Sequence, residues 1–118
     1  MSAPTDSILN TIKKLLMISE DDTVFDTDLI VHINSTFWRL RQLGVGVDNF
    51  SITGASETWS DYLGEDIDKM RVVEPFTYLS VRLLFDPPQN NASLFNSYQQ
   101  QLEKYESLII YECDPHYE

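Results

Sequence analysis

The chain has 118 residues, 42% of them hydrophobic, and carries 19 acidic against 8 basic side chains, for a net charge of −11. That length and apolar share supply the core of one domain. The acidity and the scatter of the few bases exclude a basic stripe for nucleic acid and disfavour an anionic membrane surface.

The first helix is predicted over Ser7–Met17, capped by Thr5 or Asp6, with Ile8, Ile12, Leu15 and Leu16 on one face. Lys13 and Lys14 stand near its C-terminal end, where the helix dipole favours cations. The acidic run Ser19–Thr23 reads as a solvated turn. Asp26 is expected to cap a second helix, Thr27–Leu43, with Asp28 in its first turn and Gly44 at the left-handed position that ends it. Leu29, Ile30, Ile33, Phe37 and Leu40 form its inner face, while Val31 and Trp38, a heptad apart, point the other way. Either a second partner covers them or the following loop folds back over Trp38.

Residues 44–64, GVGVDNFSITGASETWSDYLG, hold all four glycines and form the least regular stretch, with room for one short strand or hairpin around Phe50–Thr53 and a helical turn over Thr58–Leu63. A segment of that length without firm structure often marks a functional loop, and its aromatics Phe50, Trp59 and Tyr62 imply that it docks on something. Asp66–Asp86 reads as mostly helix, with Pro75 either in the first turn of the helix proper or kinking a longer one. Its part from Val72 is apolar almost all round, so other helices must wall it in; Asp86-Pro87-Pro88 ends it. The last helix spans about Asn91–Glu112, capped by Asn90 or Asn91, with Leu94, Tyr98, Leu102, Tyr105 and Ile109 on one face. Asp114–Glu118 reads as a loose tail. The fold class is all-α: a small bundle of about four helices around an irregular central loop, in a single domain over 1–118 with a helical core of about 6–112 and a tail over 113–118.

No catalytic or metal constellation emerges. Glu20, Asp21, Asp22, Asp26 and Asp28 lack the ligand alternation, central glycine and closing glutamate of a calcium loop. His32 and His116 have no second ligand at helical spacing, and Cys113, the single cysteine, can build neither an internal disulfide nor a thiolate cluster. Gly44-Val45-Gly46 follows a helix instead of a strand, against a phosphate loop. Asp66 and Asp68 stand at a helix start, where acids are expected in any case. The chain is expected to be a non-enzyme without cofactors. MSAPTDSILN lacks the features of a signal peptide, and no stretch reaches the roughly 18 apolar residues of a membrane span, so it is expected to fold in a reducing cytoplasm. What remains is apolar surplus on one subunit, which favours contact with further copies.

The order of parts carries a resemblance. ILNTIKKLLMISEDDTVFDTDLIVHINSTFWRLRQLGVG, an irregular loop with a Trp, and then YLSVRLLFDPP resemble the head–tail connector proteins of tailed bacteriophages, also called head completion or adaptor proteins. The resemblance spans about Asp6 to Tyr111. It implies a helical bundle assembling as a ring, usually a dodecamer, beneath the portal protein at the head–tail junction of the virion, made in the host bacterial cytoplasm. The ring extends the channel for double-stranded DNA during packaging and ejection without binding it specifically, and offers a platform to a stopper or tail-completion protein. No catalytic residues are carried over. The C-terminal EKYESLIIYECDPHYE, the segment that in the family often helps hold the portal, is the least family-like. Val31, Trp38, Phe50, Ile52 and Trp59 are expected at contacts between subunits or with neck partners. The alternative reading is a small acidic inhibitor that imitates DNA to bind a host DNA-binding protein; against it, the acids fall at caps and turns instead of in spaced rows.

Overall fold

The computed structural model describes residues 3–113, and of Glu112 and Cys113 only the backbone. The elements in chain order are α1 (Ile8–Leu15), α2 (Asp26–Gln42), a short α3 (Trp59–Leu63), a 3-10 segment (Gly64–Lys69), α4 (Met70–Phe85) and α5 (Ala92–Cys113). Among the described residues there is no strand, only an isolated bridge between Ser7 and Thr58, so the all-α expectation holds. The expected tail Asp114–Glu118, with His116, and the Cys113 side chain lie outside the described residues.

α1 starts one residue later than the caps expected from sequence. Ser7, not Thr5 or Asp6, accepts from the Asn10 N–H at 3.2 Å, and Asp6 instead accepts from the Ala3 N–H. The helix ends at Leu15 because Met17 takes a left-handed φ of 64°. Its N–H reaches the Lys14 carbonyl and the Ile18 N–H the Lys13 carbonyl, a Schellman closure with methionine where glycine is usual. The inward face is therefore Ile8, Leu9, Ile12 and Lys13, with Leu15 turned outward.

Lys13 is the main departure from the sequence reading. It does not merely complement the dipole: its side chain is 1% exposed, with Nζ 3.1 Å from the Glu20 carbonyl and 2.9 Å from Asp26 Oδ1. The Asp26 contact is an ion pair without hydrogen-bond alignment. Asp26 thus does not cap α2. The N-cap is Phe25, with no side-chain bond, and the Asp26 carboxylate is spent on the buried ammonium instead.

α2 ends as expected at Gly44, φ 92°, with the Gly44 and Val45 N–H groups returning to Arg41 and Leu40. Gly46, φ 87°, is required twice over. Its backbone is left-handed, and a Cβ there would stand 2.4 Å from Tyr62 Cε1.

The segment after Gly44 is irregular but not loose. Val45, Ile52, Trp59, Tyr62 and Leu63 are all buried. Phe50–Thr53 does not form the strand expected of it. Its ladder partner is one side chain: Asn34 accepts from the Ile52 N–H at 2.8 Å and donates to the Ile52 carbonyl at 3.0 Å. Thr58 and Asp61 form a capping box that starts α3. The N-terminal residues strap this region down, with the Ser60 N–H donating to the Pro4 carbonyl and the Ile8 N–H to the Glu57 carbonyl. Trp59 Nε1 donates to Thr11 Oγ1, whose hydroxyl donates to the Ser7 carbonyl, so the buried indole is satisfied.

α4 begins at Met70, so Pro75 does not open the helix but lies inside a longer one, the second of the two alternatives, without breaking it. Val72, Val73, Phe76, Leu79 and Val81 are buried between α2 and α5, and Leu84 is exposed. Asp86, φ −144°, terminates it ahead of the two prolines. Asn91 caps α5 through Oδ1, accepting from the Leu94 N–H. On α5, Ile109 is buried, while Leu94, Tyr98, Leu102 and Tyr105 are partly covered.

Candidate functional site

α2 has two faces because its apolar residues serve two directions. Inward, Leu29, Ile33, Phe37 and Leu40 are buried, and Phe37 stacks on Tyr62 with centroids 3.8 Å apart at 14°. Phe50 leans on the same pair, 6.0 Å from Phe37 and 5.2 Å from Tyr62. The aromatics of the central segment thus dock within their own subunit. Outward, Val31 is 56% exposed and Trp38 69% exposed. The segment runs beside Trp38 without covering it, so the loop does not fold back over that residue.

Between α2 and residues 47–51 lies a cleft of about 360 Å³, walled by Trp38, Arg41, Val47, Asn49, Phe50 and Tyr62. Arg41 pairs with Asp48 across its mouth, and Arg39 pairs with Glu106 on α5 at 2.7 Å, both guanidinium groups remaining about half exposed. The charges of α2 sit only at its ends, Asp26 and Asp28 at the start and Arg39 and Arg41 at the finish. Below its start, the turn from Met17 to Phe25 exposes Met17, Glu20, Asp21, Asp22 and Val24.

The five residues expected at contacts therefore separate. Val31 and Trp38 are open to a partner. Phe50 shows an edge in the cleft. Ile52 and Trp59 are 2% and 0% exposed, so that expectation is corrected: their side chains fill the core and have no surface to offer. The isoleucine sits in irregular chain and the tryptophan opens α3, which at five residues is too short for periodicity to separate inward from outward positions. Sequence reasoning also left Met17 and Val24 unremarked, both of them highly exposed.

Glu57 holds the other side of the central segment. Partial burial pushes its carboxyl up, but the Thr53 N–H and hydroxyl, at 3.0 and 2.9 Å, with the Glu57 and Gly54 backbones, outweigh this and hold it below the ordinary value. Among the described residues no group of three or more His, Cys, Asp or Glu side chains could hold a metal ion, and His32 lies partly buried on the flank of α2. No helix among them is long and apolar enough to cross a membrane.

A comparison with family models matches residues 8–116 to the family described as phage connector protein. Neither the curated proteins nor the solved structures give a match.

Proposed function

The chain belongs to the phage connector protein family, and from that premise we propose that it is a ring-forming, non-enzymatic head–tail adaptor that docks beneath the portal protein. The ring extends the DNA channel and carries a stopper or tail-completion protein on its far side. The observation that supports this reading is the outer face of α2. A helix already fixed in the core presents Val31 and Trp38 to solvent, at a heptad spacing that suits a flat contact. The net charge of −11 fits a channel past which duplex DNA moves without arrest, since its phosphates meet few cationic side chains able to displace their counterions.

Light scattering of the purified chain, alone and mixed with its portal, tests the proposal. A large closed oligomer in either condition is the expected outcome. A chain that stays monomeric in both overturns it. Trp38→Asp is expected to abolish assembly while leaving the fold intact, because a substitution at a site this exposed changes stability by only about 0.5 kcal/mol. Normal assembly of that variant would remove Trp38 from the contact.

A further inference from the structure

Resting on the ring reading above, we propose that α5 is an exchangeable arm: in the ring, the α5 of one copy leaves its own α4 and packs on the α4 of the next. The occupant of the vacated face is a second copy of this chain, through a helix whose fit to that face is the one already described.

The hinge carries the inference. A short connection, Asp86–Asn91, joins α4 to α5. Pro87 and Pro88 hold its first part extended, and Asp86 ahead of them has already left the helix. The chain is turned back onto α4 only by the residues that follow, where Asn90 takes a left-handed φ of 56°. Among the described residues, 87–90 form no hydrogen bond to α1, α2 or the central segment. The hinge stands beside a hollow of about 490 Å³ bounded by Pro88, Asn90, Phe95 and Asn96. A short hinge under strain invites exchange between copies.

α5 is held in a way that lets it leave. Ile109 is its one fully buried described side chain, and Leu94, Phe95 and Tyr98 stand outside the continuous core of the bundle. The Arg39–Glu106 pair and the Arg82 guanidinium over the Tyr98 ring lie where solvent screens them, and such contacts are weak.

The face left behind selects its occupant. Leu79 is 4% exposed yet lies outside that core, one turn before Arg82 and so on the side of α4 that meets Tyr98. Lifting α5 away bares this side, and the surface that matches it residue for residue is another α5. Each copy then gives one helix and receives one, and every contact of the closed subunit is remade. Passed on in one direction, the exchange is heterologous and closes into a ring when the rotation between copies allows. At 22 residues, α5 is about 33 Å long, enough to lie across a neighbour whose extents are 42 × 36 × 24 Å.

Cross-linking between isotopically distinct chains tests this. Arg39→Lys keeps a cation opposite Glu106 and makes the pair joinable by a zero-length carbodiimide. Light and heavy chains of this variant are mixed in equal amounts as monomers, assembled and treated. Peptides joined at positions 39 and 106 are expected to pair light with heavy as often as like with like, whereas the dilute monomers give like pairs alone. A second measurement needs no cross-link. Asn90→Val makes the left-handed turn costlier in the closed subunit only, and is expected to lower the concentration for half-assembly by about tenfold.

Assembled particles whose joined peptides are all like with like, or an Asn90→Val chain that assembles no more readily than the unaltered one, overturn the exchange and leave the ring reading standing. An unaltered chain that never assembles, with or without portal, overturns both.

Discussion

Residues 44–63 and α5 are held to the bundle in opposite ways. The first is irregular and carries three of the four glycines, yet it contributes Val45, Ile52, Trp59, Tyr62 and Leu63 to the core and is tied by Asn34, Thr11 and the Pro4 carbonyl. The second is a continuous helix of 22 residues whose one fully buried described side chain is Ile109, assisted by the exposed Arg39–Glu106 pair and by Arg82 lying 5.9 Å over the Tyr98 ring. Regular backbone is satisfied by its own hydrogen bonds and can afford shallow packing. Irregular backbone must find partners elsewhere, and here it finds them in the interior.

The comparison is tested most severely at Trp59. Trp59→Ala removes the largest buried side chain of the central segment and leaves Thr11 without its donor, and is expected to destabilise by about 3–5 kcal/mol in denaturant unfolding. A loss near that of a surface substitution would mean the segment is not core.

The Lys13–Asp26 pair comes next. Asp26→Ala strands the Lys13 ammonium in a buried position and is expected to cost about 3 kcal/mol. Lys13→Met, which replaces the buried ammonium with apolar volume, is expected to cost far less. Equal losses in the two variants would show that packing, and not charge, holds this corner.

Ile109→Ala is expected to cost about 2 kcal/mol, the low end for a buried isoleucine, because a helix with so little other cover can settle inward. Amide exchange should quicken along α5 and stay unchanged at Val47, Ile52 and Trp59. Exchange that quickens equally in both regions would show that α5 and the central segment open as one unit.

The smallest effect belongs to Glu57. A carboxyl whose folded pKa is depressed stabilises above its unfolded value and loses that contribution as pH falls through the folded one. Glu57→Gln is therefore expected to lower stability slightly at pH 7 and to make no difference once pH is well below the ordinary glutamate value of 4.5. A gap between the two proteins that persists in acid would assign the loss to the altered Thr53 hydrogen bonds instead of to charge.

The sequence made the helices legible because their periodicity is local. The inner face of α2, the Gly44 stop, the Asp86 stop and the turn at Thr58 are set by residues within a few positions of one another. What stayed hidden depends on contacts between elements. Lys13 looks like a dipole complement until Asp26 is brought beside it. Asp26 looks like a cap for the same reason. Phe50–Thr53 has the branched and aromatic residues of a strand, but nothing in the chain announces that an asparagine on α2 will serve as its edge. At the candidate site, Val31 and Trp38 were legible because they break the pattern of a helix. Ile52 and Trp59 were misassigned because irregular chain and a five-residue helix have no pattern to break.

The concealment of Lys13 also makes the chain report on its own opening. Lys14, its neighbour, is exposed, so an acylating reagent reaches one amine of the pair at once and the other only when α1 parts from α2. Two adjacent residues in a single peptide thus give a chemical clock and its internal reference, readable by mass spectrometry in the free subunit and in any larger particle that contains it.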